Sequence, residues 1–339
     1  MSSERARIQL AHGSGGGMSR DLIAEVFVKA FDNAPLNRQD DSAVLELYGR
    51  RFAFTTDSYV VDPIFFPGGD IGDLAVNGTI NDLSTTGGTP IALSAGFIIE
   101  EGFLLDDLRR VVDSMKRAAA EAGVQIVTGD TKVVERGKGD KLFVNTSGLA
   151  QIDHDHQINC ANLKTGDVVI ITGTLADHGV AILAAREDLP LQTPVQSDTA
   201  PLNGLVREIL AAGGEAVHAM RDPTRGGVAT ALNEMARSSR VGIAIEEALL
   251  PIKPPVSGAC EILGLDPLYL ANEGKMLVFV GRERAEQVLE AARGHRYGRE
   301  AAIIGEVGED PKTLVSIGTR LGARRILDMP VGLQLPRIC

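Results

Sequence analysis

Four aspartate-bearing motifs crowd the first 130 residues: Asp40-Asp41-Ser-Ala, Thr55-Thr-Asp57, Asn81-Asp82-Leu and Gly129-Asp130-Thr-Lys132. Each falls at a strand end or an element junction. A single aspartate in such a place is usually a turn former or a helix cap. Several carboxylates converging from different elements would suit Mg²⁺, which takes hard oxygen ligands and bridges to phosphates. Upstream of them, His12-Gly-Ser-Gly-Gly-Gly17 offers backbone N–H groups unobstructed by Cβ atoms at Gly13, Gly15 and Gly16, as a phosphate cradle requires. It is not a Walker A loop, because no Gly-Lys-Ser/Thr follows, and Met18 breaks the G-x-G-x-x-G pattern. Taken alone, the stretch reads better as a flexible N-terminal linker.

Two further motifs carry polar groups in the second half. Asp222-Pro-Thr-Arg-Gly-Gly227 opens a helix, with Pro223 near its first turn, glycines that allow close backbone approach, and Arg225 within reach of a phosphate. An ordinary capped turn is the competing reading. Asn272-Glu273-Gly274 precedes an apolar strand, and Glu273 is either a general base or a structural carboxylate. Lys132 either steadies a transferring phosphoryl group or pairs with a neighbouring aspartate. His12, His178 and His218 are isolated and default to solvated or core positions. The chain closes on Pro336-Arg337-Ile338-Cys339. A free thiol there is an oxidation liability, and the cysteine lacks the three following residues of a prenylation box. From Gly332 onward an extended tail spans roughly 25 Å at ~3.3 Å per residue, enough to carry a group into a cleft, with Pro336 stiffening its end.

These residues need a scaffold, and the composition supplies one. Of 339 residues 44% are hydrophobic, 23% charged and 38 are glycine, which fits a soluble, loop-rich α/β chain of two domains. A net charge of −11 without a Lys/Arg run argues against nucleic acid, and 4% aromatics with no Trp argue against base stacking. The start MSSERARIQL has no apolar secretory core, and no apolar run approaches the ~20 residues of a membrane span. Cys160, Cys260 and Cys339 are odd in number and far apart, matching neither a disulfide framework nor a zinc site. The cytoplasm is the expected compartment.

Periodicity predicts helices over 21–31 (capped by Ser19), 70–83, 105–122, 178–186, 202–212 and 228–237. It predicts strands over 43–47, 51–56, 91–99, 124–127, 142–150, 167–173, 241–245, 276–280 and 302–307. The expected organisation is a glycine-rich segment 1–20, an N-terminal domain 21–155, a C-terminal domain 160–325 and a mobile tail 329–339.

The motifs together resemble the hydrogenase maturation factors of the HypE family, in the superfamily of aminoimidazole ribonucleotide synthetase, thiamine-monophosphate kinase and selenophosphate synthetase. The likeness runs nearly end to end and also takes in Phe65-Phe-Pro-Gly-Gly69 and Gly78-Thr-Ile-Asn81-Asp82-Leu. The aspartate and glycine motifs are shared across the superfamily; the closing Pro-Arg-Ile-Cys339 is specific to the family. The resemblance implies a two-domain α/β (α+β) fold, N-terminal domains pairing in a homodimer, and ATP in the cleft between domains. It implies a carbamoyltransferase partner, HypF, that loads Cys339, and a HypC–HypD scaffold that receives cyanide for the iron of [NiFe]-hydrogenase.

On that resemblance the chain uses ATP to dehydrate an S-carbamoyl group on Cys339 to a thiocyanate. Mg²⁺ would lie among Asp41, Asp57, Asp82, Asp130 and Asp222, and Lys132 would neutralise the transferring group. Glu273 would be the base. The nucleotide would be held by His12, Gly13, Gly15, Gly16, Asp40, Asn272 and Arg225 together with the aspartates. A kinase or cyclo-ligase acting on a diffusible molecule would keep the aspartates and have no use for Cys339. An ATP-dependent scaffold would use the thiol only for docking.

Overall fold

The computed structural model describes residues 7–186, 193–330 and 337–339; residues 331–336 of the expected tail, Pro336 among them, lie outside these. The first helix, α1 (Gly17–Leu22), runs on through a π-helical stretch, Ile23–Val28, and a last turn, Lys29–Phe31. It starts earlier than expected: Gly16 is the N-cap, and Ser19 lies inside the helix, its hydroxyl accepting from the Gly15 N–H.

The N-terminal domain is a five-stranded sheet with helices on one face. Its strands are β1 (Ala43–Leu47), β2 (Arg50–Tyr59), β3 (Thr89–Glu100), β4 (Gln125–Val134) and β5 (Leu142–Ile152), in the order β1-β2-β5-β3-β4. Only β3 and β4 run parallel. Burial alternates strictly along β5, the signature of a strand with one covered face. Two helices cover that face, α2 (Ile71–Ser84) and α3 (Leu105–Ala122). Helix α3 buries Val111, Met115, Ala118 and Ala122 along one stripe and stops at Gly123, whose φ of 76° ends the helix. Helix α2 has no polar face of that kind. Of its residues only Asp73 and Asp82 are not buried, because the sheet lies on one side and the second domain on the other.

The C-terminal domain has three layers. Its sheet contains β6 (Val168–Ile171), β7 (Val217–Arg221), β8 (Gly242–Glu246), β9 (Leu277–Val280), β10 (Ala302–Gly308), β11 (Val315–Gly318) and β12 (Arg324–Ile326), in the order β12-β11-β8-β10-β6-β9-β7. The helices are α4 (Asp177–Ala184), α5 (Asn203–Gly213), α6 (Gly227–Ser239), α7 (Pro254–Leu263) and α8 (Ala285–Gly294). β6 and β9 are buried at every position, as strands covered on both faces must be. Val169, Ile171, Leu277 and Phe279 share a core with α6, whereas Val168, Ile170, Val278 and Val280 share one with α5 and α8.

Polar side chains lock the domains together beside the cleft. Asn81 Nδ2 donates to the carbonyls of Ala200 (3.1 Å) and Glu273 (3.0 Å), and Asn81 Oδ1 accepts from the Leu202 N–H at 2.8 Å. Among the described residues no helix is long and apolar enough to cross a membrane.

Candidate functional site

Three of the expected aspartates meet where the domains join. Asp41 precedes β1, Asp82 is near the end of α2, and Asp222 follows β7. Each can offer one carboxylate oxygen, and these oxygens lie within 4.8 Å of one another. Asn81, anchored in the second domain, fixes the turn of α2 that carries Asp82. Thr55 on β2 donates to Asp82 Oδ2 at 2.9 Å. Asp57, two residues on, is close enough to Asp82 and Asp222 to raise both their pKa values.

Arg221, which the motif reading passed over although it adjoins Asp222, holds the cluster's outer edge. Its guanidinium meets Asp41 Oδ1 at 3.0 Å and Glu234 Oε2 at 2.7 Å. Asp41 Oδ2 stays buried with no protein partner. Such an oxygen is costly unless a cation or a proton reaches it. Burial pushes Asp41 and Asp82 well above the carboxylate range; Arg221 opposes this at Asp41, and Asp222 reinforces it at both. Asp222 rises to about 6, again chiefly through burial. An all-oxygen, electron-rich set with an orphaned buried oxygen fits a hard divalent cation.

The same shifts predict how stability depends on pH. A carboxyl group whose folded pKa is raised binds its proton more tightly in the fold than in the unfolded chain. Its contribution is therefore lost as pH rises, for Asp222 from about 3.8 through about 6. A Mg²⁺ ion bound there would replace those protons. At pH 8 a saturating amount is expected to raise the melting temperature by roughly 5 °C, and at pH 5 by much less. Thermal scans at the two pH values check this; equal shifts would remove these carboxylates as the binding set.

Glu273 and the terminal thiol complete the centre. Glu273 is 3% exposed, and its Oε1 has no protein partner. Burial, then Asp222, Asp198 and Asp57, push its carboxyl well above the ordinary range, against the pull of Arg225. Its backbone is clamped: Asp198 accepts from the N–H groups of Glu273 (3.2 Å) and Gly274 (3.3 Å) and pairs with Lys275 at 3.1 Å. Gly274 permits this, since a Cβ there would sit 1.8 Å from the Asp198 carbonyl oxygen. Cys339 is half-buried, and its thiol lies close enough to Glu273, Asp57 and Arg225 to feel their charges. Burial drives that thiol's pKa far up and Arg225 opposes it, so the docked sulfur is a neutral S–H. The Arg225 guanidinium lies 3.9 Å from Asp57. The Tyr59 hydroxyl, also missed in the sequence, is buried beside Asp57 and Asp82.

Other expected residues stand elsewhere. Gly15 packs on the Arg225 backbone, so the glycine loop borders the centre. His12 turns back on the Gln9 N–H at 3.0 Å. Asp40 accepts from the Cys160 N–H at 2.9 Å, a structural contact. Asn272, expected as a nucleotide ligand, braces the loops around it in this chain. It is wholly buried, receives the Ala176 N–H at 2.7 Å and donates to the carbonyls of Pro223 (3.0 Å) and Leu270 (3.1 Å).

Asp130 and Lys132 do not join the cluster within one chain. They pair with each other at 2.6 Å on the exposed edge strand β4. Asp57 aligns with Thr146, Ala95 and Gly129, whereas Asp130 aligns with Gly96, Asn145 and Ser58. Asp130 therefore lies three strand spacings from β2, roughly 14 Å, and on the opposite face of the sheet.

The two domains and their shared carboxylate centre define an AIR synthase related protein. The model of that family's N-terminal domain matches residues 39–152, and that of its C-terminal domain matches residues 164–317. Carbamoyl dehydratase HypE of Rhizobium leguminosarum bv. viciae is 52% identical over 333 residues, 98% of this chain and 95% of that protein. The structure is similar to that of a HypE–HypF complex, with a TM-score of 0.87 and 52% identity over 91% of this chain and 99% of the other. It is also similar to hydrogenase maturation protein HypE in complex with ATP, with a TM-score of 0.82 and 47% identity over 98% of this chain and 100% of the other. The chain belongs to the carbamoyl dehydratase HypE family.

Proposed function

We propose that the chain dehydrates, at the expense of ATP, a carbamoyl group carried as a thioester on its own Cys339. The position of the thiol carries this reading: it lies against Glu273 and beside Arg225, next to the carboxylate cluster. Turning –S–C(=O)NH₂ into –S–C≡N removes the amide oxygen, and hydroxide is a poor leaving group. Transfer of the γ-phosphoryl group to that oxygen, with loss of a proton from nitrogen, gives –S–C(OPO₃²⁻)=NH and ADP. Loss of the second nitrogen proton then expels phosphate and leaves the thiocyanate. The protein's task is alignment and charge control.

Mg²⁺ held by Asp41, Asp82 and Asp222, with Asp57 beside them, would screen the triphosphate charge. Arg225 and the N–H groups of the glycine loop would orient phosphate oxygens. Glu273 would take the proton from nitrogen, and a buried carboxyl with a raised pKa suits that task near neutrality. Asp130 and Lys132 would serve the site of a second copy in a homodimer. Supporting this, they stand on an edge strand, and the same open face of the sheet exposes Phe54 and Ile98. HypF would be the carbamoyl donor and a HypC–HypD scaffold the cyanide acceptor, in the cytoplasm.

Mass spectrometry tests the reading. With HypF, carbamoyl phosphate, ATP and Mg²⁺, the C-terminal peptide should gain a carbamoyl mass and then lose a water mass. A Cys339 that stays unmodified, or a carbamoyl adduct that never loses water, would sink it.

A further inference from the structure

The last three residues lie in a slot shaped for them. The N–H groups of Val60 and Asp62 donate to the carbonyls of Cys339 and Arg337, each at 3.1 Å. Alternate residues just beyond β2 thus capture alternate residues of the tail, the geometry of strand addition. Ile338 is 4% exposed and shares the core that contains Ile182 and Ala271. The Arg337 guanidinium pairs with Asp62 at 3.5 Å and with Asp140.

The intervening carbonyl, that of Ile338, lies 2.7 Å from His178 Nε2. His178 sits on α4, wholly buried, and burial pushes its pKa down, so the ring is neutral. A carbonyl only accepts, so Nε2 carries the hydrogen and Nδ1 must accept; Ser197 Oγ, 2.8 Å away, donates to it. The Phe66 ring meets the imidazole edge-on, 5.6 Å between centroids. Ser197 is in turn set by the Phe65-Phe-Pro-Gly-Gly69 motif, for which the nucleotide chemistry has no use. Its N–H donates to the Pro67 carbonyl at 2.8 Å. Gly68, with φ of +93°, approaches so closely that a Cβ would stand 2.8 Å from Ser197 backbone atoms.

We propose that His178 is a positioning residue for the dehydration step: its Nε2–H latches the Ile338 carbonyl and holds Cys339 against Glu273, with the Phe-Pro-Gly-Gly turn and Ser197 fixing the ring. The consequence for catalysis rests on Cys339 being the cargo thiol; the latch itself does not. Without the donor a buried carbonyl loses its partner, and the tail shifts toward undocked states by a factor on the order of ten.

Alkylation of Cys339 in the folded full-length protein, followed on the C-terminal peptide without ATP, reads the latch directly. His178→Phe keeps the ring volume and the Phe66 contact but removes the donor, and should speed alkylation roughly tenfold. His178→Gln, which returns an N–H near the Nε2 position, should restore most of the protection. In the Phe variant carbamoyl loading by HypF should not fall, while single-turnover dehydration slows by a smaller factor than alkylation gains, since one tenfold shift is divided between the undocked and docked fractions. Alkylation at the parent rate in the Phe variant would overturn the proposal. Should that variant lose its thermal transition, Ser197→Ala carries the test: it frees Nδ1 and should raise alkylation by a smaller factor, and no rise would be equally fatal. Because the alkylation assay needs no carbamoyl group, the latch and the tethered-cargo reading can fail independently.

Discussion

Asp82→Asn should lower ATP-dependent dehydration at least ~10³-fold while leaving carbamoyl loading by HypF intact. Asp82 is at the middle of the carboxylate cluster, fixed by Thr55 Oγ1 and by the anchored Asn81 beside it. The amide keeps shape and hydrogen-bond capacity but removes one negative charge from a site built to neutralise a cation. On the proposed reading, loading happens at another protein's active site and needs only a reachable thiol. A variant with normal dehydration would show that the cluster does not serve the nucleotide.

Asp130→Asn should cause a comparable loss, for a reason that mixing exposes. If Asp130 serves the neighbouring copy, an Asp82→Asn subunit paired with an Asp130→Asn subunit contains one doubly altered site and one intact site. Random exchange puts half the subunit pairs in that mixed state, so mixing two nearly inactive proteins should recover about a quarter of parental activity. Were Asp130 needed in its own chain, or the protein monomeric, mixing would recover nothing.

What was legible in the sequence follows from what is local. Helix α3 could be read to the residue because its apolar stripe has a 3.6 period and Gly123 stops it. Helices α7 and α8 went unread: the first opens on Pro-Pro with Gly258 inside it, and the second has a thin stripe of Val288, Leu289 and Ala292. Strands β11 and β12, with four and three residues, are too short for period to register. Strand β7 was missed too, and it delivers Arg221 and Asp222 to the cleft. Asp41, Asp82, Asp222, Glu273 and Cys339 each carry a local sign of chemistry. Their meeting is a tertiary fact, made by Asn81 reaching across the domain junction and by Asp198 clamping the loop that carries Glu273. Asn272 shows the limit of such reading, since a polar residue in a motif reads alike whether it faces a ligand or braces a loop.

Glu273→Gln separates the chemistry of the site from its construction. Removing a base that takes a proton from nitrogen should slow dehydration by ~10² to 10⁴-fold, with loading unchanged. The pH dependence should change as well. In the parent the base must be ionised, so the rate climbs as pH passes the raised pKa of the buried carboxyl. The glutamine variant should lose that rising limb. Stability should move the other way. Because its folded pKa is raised, Glu273 takes stability away as pH increases, so the variant's melting temperature should fall less steeply between pH 5 and 8 than the parent's. A structural carboxylate would give the opposite pairing, a folding defect with an unaltered pH–rate profile. A protein that is slow, loses its alkaline rise in rate and yet is more stable at high pH is accounted for only if the carboxylate beside the terminal sulfur is kept for proton transfer at a cost in stability.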